Sequence, residues 1–248
     1  IDRGGALYSG SAWQGIYRTT DQGQTWEERN NGLPSLRCRM FEATAGTLLY
    51  SHHGGGVFRS TDDGANWLNI DAALPGNDMR AACVHDGAFF AYIYPHGIYR
   101  STDEGATWNP TTLVSGSFTR LYSDISRLYA VGGSKLHYSD DDGASWTEVS
   151  LMAGAFGGRC VVKSGGRLLV GHTGTGVAAS TDGGVTWATS NSGHDATKVN
   201  ALFGSGQTLF AAVEDGGVHR STNGGTDWTP LVTEPLASDA HAIIKRGN

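Results

Sequence analysis

Helical periodicity is missing from this chain. No segment repeats its apolar residues at the three-to-four spacing of an amphipathic helix, so essentially no helix is predicted. Proline is scarce, at 6 of 248 residues, whereas glycine reaches 37. Tight turns between short strands explain that imbalance better than disorder does, because apolar content stays at an ordinary 39%. No run approaches 18 consecutive apolar residues, so no membrane-spanning helix is predicted. Basic residues are outnumbered: 18 Lys and Arg against 24 Asp and Glu give a formal charge of −6, which argues against general nucleic-acid or anionic-membrane binding. Cysteine is sparse. Cys38, Cys83 and Cys160 are far apart and lie in apolar, strand-like runs. They read as buried free thiols, with one disulfide and a leftover thiol as the alternative. An initiating Met is absent too: the first residue is Ile1, so either a leader has been removed or the chain is an excised segment.

What is present is a repeat. Six phrases recur: TTDQGQTW at 19–26, STDDGANW at 60–67, STDEGATW at 101–108, SDDDGASW at 139–146, STDGGVTW at 180–187 and STNGGTDW at 221–228. Their closing tryptophans, Trp26, Trp67, Trp108, Trp146, Trp187 and Trp228, are 41, 41, 38, 41 and 41 residues apart. A fixed period of this length marks a repeat architecture. Within one unit, Val199 to Phe203 reads as a strand, the turn Gly204-Ser205-Gly206 follows, and Thr208 to Val213 is a second strand. Asp215-Gly216-Gly217 turns again, Val218 to Ser221 is a third strand, the recurrent phrase is a hairpin, and Trp228 opens a fourth. Four strands per unit of about 41 residues is the size of a propeller blade.

The expectation is therefore an all-β, six-bladed propeller of four-stranded antiparallel blades, one domain over 1–248. The ends suggest how the ring closes. His241 to Lys245 looks like a first strand with nothing after it, and Ala6 to Ser9 with Gly15 to Arg18 look like second and third strands with nothing before them. Joined in one blade they would close the ring and leave no open edge there, which would make the chain complete.

The six phrases resemble the Asp-box, or bacterial neuraminidase repeat, Ser/Thr-x-Asp-x-Gly-x-Thr/Ser-Trp. Each residue type has a physical reason. The carboxylate accepts backbone N–H bonds within the turn, the glycine permits positive φ, and the tryptophan is a large apolar plug between blades. Asp21, Asp62, Asp103, Asp141, Asp182 and, with an amide in place of the acid, Asn223 are read as turn-formers, neither general acids nor metal ligands. The acidic run Asp140-Asp141-Asp142 lacks the twelve-residue calcium-loop pattern and its closing Glu. The resemblance also implies that the boxes lie on the face opposite the functional one.

Strand connectivity puts the second-to-third-strand loops and the entries into each first strand at that other end. The loops carry Trp13, His52, His53, Tyr92, Tyr94, His96, His172, Glu214 and Asp215. Aligning the first strands on their partners produces a column, Arg39, Arg80, Arg120, Arg159, Asn200 and His241, with a one-residue adjustment at Arg120. Converging guanidiniums would hold a carboxylate, sulfate or phosphate bidentately, and without a compensating anion they would repel one another. The opposing reading is that a one-residue slip turns the column into the blade packing. A second column, Arg18, Arg59, Arg100 and Arg220, precedes the boxes and is read as structural.

Sialidases share the repeat, but their Arg-Ile-Pro motif is absent, and no pair of carboxylates is placed for glycoside hydrolysis. The phrase Gly-Ile-Tyr-Arg-Ser-Thr-Asp-x-Gly-x-Thr-Trp is similar to that of the photosystem II assembly-factor-like family, whose members act as chaperones or adaptors through an arginine-rich face. The sequence thus leans towards a non-catalytic binding or adaptor propeller, with no cofactor and no metal. Its expected partner is an acidic polypeptide, an anionic glycan or an anionic small molecule, taken up on the face opposite the boxes. The alternative is a sialidase-like lectin or glycoside hydrolase. A monomer is expected, and Ile1 together with the resemblance implies a secreted or periplasmic mature form.

Overall fold

A computed structural model describes residues 1–124, 126–151, 157–193, 198–214 and 216–231. They form six four-stranded sheets, each with its strands in sequence order. The first sheet comprises Asp2–Arg3, Ala6–Ser11, Gly15–Thr19 and Glu27–Glu28; the second Cys38–Ala43, Leu48–His52, Val57–Ser60 and Leu68–Asn69; the third Met79–His85, Ala88–Ile93, Gly97–Ser101 and Asn109–Pro110. The fourth comprises Arg120–Ser123, Leu128–Gly132, Lys135–Ser139 and Thr147–Ser150; the fifth Cys160–Ser164, Arg167–Gly171, Val177–Ser180 and Ala188–Thr189; the sixth Val199–Ser205, Thr208–Val213, Gly217–Ser221 and Thr229–Pro230. Among the described residues one 3-10 turn, Asp71–Ala73, is the sole helical element. The protein is a six-bladed β-propeller of antiparallel four-stranded sheets.

One detail departs from the sequence reading. The first sheet has its own first strand: Asp2 pairs with Leu7 and Arg3 with Ala6, because Gly4 and Gly5, both at positive φ, turn the chain back at once. The closing strand expected over His241 to Lys245 lies outside the described residues. The chain forms two compact units. One holds Ile1–Ser117, residues 126–128 and Asp140–Ser145; the other holds Phe118–Asp124, Tyr129–Ser139 and the described residues from Trp146 onward.

The boxes are closed hydrogen-bond circuits. In the third, Ser101 Oγ donates to Asp103 Oδ1 (2.8 Å), while the Thr107 N–H (2.9 Å) and hydroxyl (2.6 Å) both donate to the same carboxylate. The Gly105 N–H donates back to Ser101 Oγ at 2.8 Å. The position between Asp and Gly is left-handed in every box: Gln22, Asp63, Glu104 and Asp142 have φ of 69, 59, 60 and 56°, and Gly183 and Gly224 have 76 and 69°. The sixth box exchanges its chemistry. Asn223 Oδ1 accepts from Ser221 Oγ and the Asp227 N–H, and its amide donates to Asp227 Oδ2 at 2.8 Å. The acid has moved four residues along and the circuit is kept.

In the second to fifth sheets the second strands are buried on both faces, so consecutive side chains serve different cores. In the first unit, Leu48 and Tyr50 join Ala6, Tyr8, Ile16 and Trp67, whereas Leu49 joins Met40, Phe89, Ile93 and Trp108. In the second unit, Leu168 and Val170 pack with Val131 and Leu136, and Leu169 with Val177, Val199 and Trp228. Trp67, Trp108 and Trp228 thus fill the seam between their own sheet and the preceding one. Trp67 and Trp228 also donate across it, to the carbonyls of Arg29 (2.7 Å) and Ser190 (2.8 Å). Trp26 is the exception, 44% exposed. The three cysteines are free thiols; Cys83 and Cys160 are buried and Cys38 half-buried.

Arginines before the boxes tie neighbouring sheets together within the first unit. Arg59 Nε donates to the Glu104 carbonyl (2.6 Å), and Arg100 Nη2 to Asp142 Oδ2 (3.0 Å). Arg18 instead pairs within its own sheet, with Glu27 (2.7 Å) and the Tyr8 hydroxyl (3.1 Å).

Candidate functional site

The antiparallel order of each sheet places boxes and first hairpins at one end, and the second-to-third loops with the incoming crossovers at the other. At that second end three of the first strands are irregular. In the second sheet Cys38 faces His52 and Met40 faces Ser51, so Arg39 is an inserted residue. In the third, Met79 faces Ile93 and Ala81 faces Tyr92, leaving Arg80 inserted. In the sixth, Val199 faces Val213 and Ala201 faces Ala212, leaving Asn200 inserted. These members of the column are β-bulge residues. A bulge adds a residue that the ladder does not pair and re-aims its side chain. In the fifth sheet Arg159 and Cys160 both address Gly171, the first through its N–H (2.8 Å) and the second as its pairing partner. Arg120 opens its strand after Thr119, whose N–H donates to the Val131 carbonyl at 2.8 Å.

In the first unit two bulged arginines meet one acid. Arg80 donates from Nε (3.0 Å) and Nη2 (2.7 Å) to Asp78 Oδ2. Arg39 Nη1 lies 3.1 Å from Asp78 Oδ1, at an angle that makes no hydrogen bond to that oxygen. The guanidinium carbon of Arg80 sits 3.5 Å from the Tyr94 ring centroid, and that of Arg37 sits 4.6 Å from the Trp13 ring. Both rings face solvent, Trp13 at 70% and Tyr94 at 41% exposure. Backbone bonds hold the loops to the crossovers: Gly15 N–H to Leu36 (2.9 Å), His53 to Arg37 (3.0 Å), Gly56 to Asn77 (2.7 Å) and Tyr94 to Asp78 (2.9 Å). His53 is exposed beside this group; partial burial, then the charges of Arg39 and Arg37, push its pKa down.

Other residues of the expected site are placed differently. Tyr92 is a strand residue, not a loop residue; it is fully buried and its hydroxyl donates to the Gly116 carbonyl at 2.7 Å. A side chain held there offers no surface to a ligand. His52 ends its strand, with Nδ1 3.0 Å from the His53 carbonyl and its ring against Phe58 and Tyr50. His96 packs beside Gly76, where an added Cβ would come within 3.1 Å of the imidazole.

In the second unit Arg120 and Arg159 are both exposed, and Arg159 Nη1 donates to Asn200 Oδ1. Their charges act on one thiol: burial pushes Cys160 up to about 12, while Arg120 and Arg159 draw it slightly down. His172 is completely buried, and neither ring nitrogen has a hydrogen-bond partner. Burial lowers its pKa to about 4. Glu214 pairs with Lys198; Asp215 and His241 lie outside the described residues.

Two residues escaped the sequence reading. Arg37 extends the basic group, and Asp78 supplies the anion that balances it. Both had a positional signal: each stands two positions before a column arginine, in the crossover just ahead of its first strand. Among the described residues no group of three His, Cys, Asp or Glu is placed to hold a metal ion, and no helix is long and apolar enough to cross a membrane.

Comparison with known proteins bears on the fold. The family model of the BNR/Asp-box repeat matches residues 17–28, and that of the DUF6242 beta propeller domain matches residues 37–157. No curated protein sequence matches the chain. Among solved structures it is similar to YCF48 bound to D1 peptide, with a TM-score of 0.73 at 21% identity over 93% of this chain and 78% of that one. It is similar to YCF48 from Cyanidioschyzon merolae, with a TM-score of 0.72 at 16% identity over 95% and 83%. The GH74 enzyme of Niastella koreensis gives a TM-score of 0.62 at 19% identity, over 85% of this chain but only 34% of the enzyme.

Proposed function

We propose that this chain, an Asp-box β-propeller, is a non-catalytic binding module that takes up an acidic polypeptide on the loop-and-crossover end of its first unit. One observation carries the reading: bulged Arg39 and Arg80, with Arg37 beside them, stand next to exposed Trp13 and Tyr94. Arginine, tryptophan and tyrosine are the residues that dominate protein-binding surfaces, and guanidinium groups hold carboxylates with paired bonds. Three arginines against the single acid Asp78 leave this group net cationic on a chain of charge −6. The peptide-bound state of the YCF48 relative supports a polypeptide as the occupant.

A glycoside hydrolase would need two free carboxyl groups across a scissile bond. In this group the one carboxylate is held by two arginines.

The test is binding of a fluorescent acidic peptide by the wild type and by Arg39→Ala/Arg80→Ala, with an Asn/Gln version of the peptide as control. The double variant should lose roughly tenfold or more in affinity, with little change in thermal midpoint, since the ion pairs it removes are partly solvated. Equal affinity of the two proteins, or of the two peptides, refutes the reading. Turnover of a fluorogenic sialoside or of a xyloglucan would refute its non-catalytic part.

A further inference from the structure

We infer that Asp78 is a built-in competitor: its carboxylate occupies the place on Arg39 that an acidic partner's carboxylate takes, and so sets how acidic that partner must be. The inference rests on the binding reading above and adds to it a specificity-determining residue.

The two guanidiniums around Asp78 are engaged unequally. Arg80 is fixed on three sides, by Nε and Nη2 on Oδ2 and by its face on Tyr94. Arg39 touches the acid through one nitrogen at 3.1 Å and completes no hydrogen bond to it. Its bulge leaves it outside the ladder, and its side chain is partly exposed. Arg80 is therefore the anchor and Arg39 the exchangeable member. An incoming carboxylate that takes the unused Arg39 donors must share that guanidinium with Asp78 Oδ1, 3.1 Å from Nη1. Asp78 then stays behind with Arg80, as a like charge close to the newcomer. A partner with one carboxylate gains little from this exchange. A partner with two neighbouring acids gains Arg39 and the Arg37 side of the group together, which outweighs the repulsion.

Asp78→Asn separates charge from geometry. The amide oxygen still accepts from Arg80 Nε and Nη2, so the anchor keeps its orientation, while the repelling charge is gone. The experiment measures affinities of wild type and Asp78→Asn for three peptides of one sequence carrying no, one or two adjacent Asp residues, at two ionic strengths, with thermal midpoints alongside. We expect Asp78→Asn to bind the singly acidic peptide about tenfold tighter than wild type does. It should also narrow the gap between one and two acids, and show a steeper loss of affinity with salt. Unchanged or weaker binding by a folded Asp78→Asn overturns the inference and makes Asp78 a positioning residue for Arg39. Binding by Asp78→Asn where wild type shows none supports it. If neither protein prefers acidic to neutral peptide, the binding reading itself falls. That outcome is distinct from a wild type that responds to peptide charge while Asp78→Asn behaves identically, which removes the competitor role alone.

Discussion

His172 shows what a single residue can do to this protein. Its imidazole is fully buried and neither nitrogen is bonded, a state in which the charged form is excluded. The folded pKa of about 4 lies below that of an unfolded histidine, near 6.5. As pH falls from about 6.5 towards 4, the unfolded chain takes up a proton that the folded chain refuses, and stability drains away. Between pH 7.5 and 5 this one group should remove roughly 2 kcal/mol. Urea unfolding of His172→Leu at both pH values should show a correspondingly smaller loss than wild type; an equal loss in both would mean that His172 is not the titrating group. The box acids act lower on the scale. Hydrogen bonds from Thr107 hold Asp103 down to about 2, and bonds from Thr186 do the same for Asp182. Their contribution is complete above an ordinary carboxylate pKa and is lost only as pH falls towards 2.

At the scale of the element, turns and crossovers decide what the strands can do. The crossover into the sixth sheet passes directly over its box: the Trp228 N–H donates to the Ser192 carbonyl at 2.7 Å, and a Cβ on Gly193 would stand 2.0 Å from the Trp228 carbonyl oxygen. Gly32 repeats the arrangement over Trp67, at 2.5 Å. Gly166 has a similarly positive φ of 81°, but its Cβ would meet nothing within 4 Å. The pair separates strain from collision. Gly166→Ala should cost about 1 kcal/mol, the left-handed penalty alone. Gly193→Ala should cost about 3 kcal/mol or more, because backbone has to move. Chemical denaturation of both variants checks this, and equal losses would show that the close approach at Gly193 relaxes freely. Bulges are the other decisive local feature. The residues of the arginine column were visible as a pattern, but that Arg39 and Arg80 are insertions in the ladder was not. A bulge is a mismatch between two strands, and one strand's sequence does not contain its partner's hydrogen bonds.

For the whole molecule, repetition is the source of stability. Strands such as Leu48–His52 and Arg167–Gly171 cannot be buried by their own sheets alone, since both their faces are apolar, so neighbouring sheets within each unit complete one another's cores. Trp67 belongs to such a seam and is 6% exposed, whereas Trp26, in the same place in its own repeat, is 44% exposed. Trp67→Ala should therefore cost about 3–5 kcal/mol, and Trp26→Ala about 1 kcal/mol or less. Thermal midpoints of the two variants test this, and similar shifts would contradict the seam assignment.

The period of 41, the alternation of short β-rich runs with glycine turns, and the side chains of each box were enough to establish a six-bladed, four-stranded architecture. Each of these signals acts within a few residues of itself, and local chemistry is what a linear sequence records. The strand read over Val199 to Phe203, for example, differs from the observed Val199–Ser205 only at its end. Pairing across distance was decided by folding. Tyr92, assigned to a loop by its surroundings, is a strand residue pinned to Gly116. Asp78, unremarkable in its own segment, becomes the counter-charge of two arginines, one of them 39 positions earlier. Such relations depend on which strands lie side by side and in what register, and packing in three dimensions alone sets both.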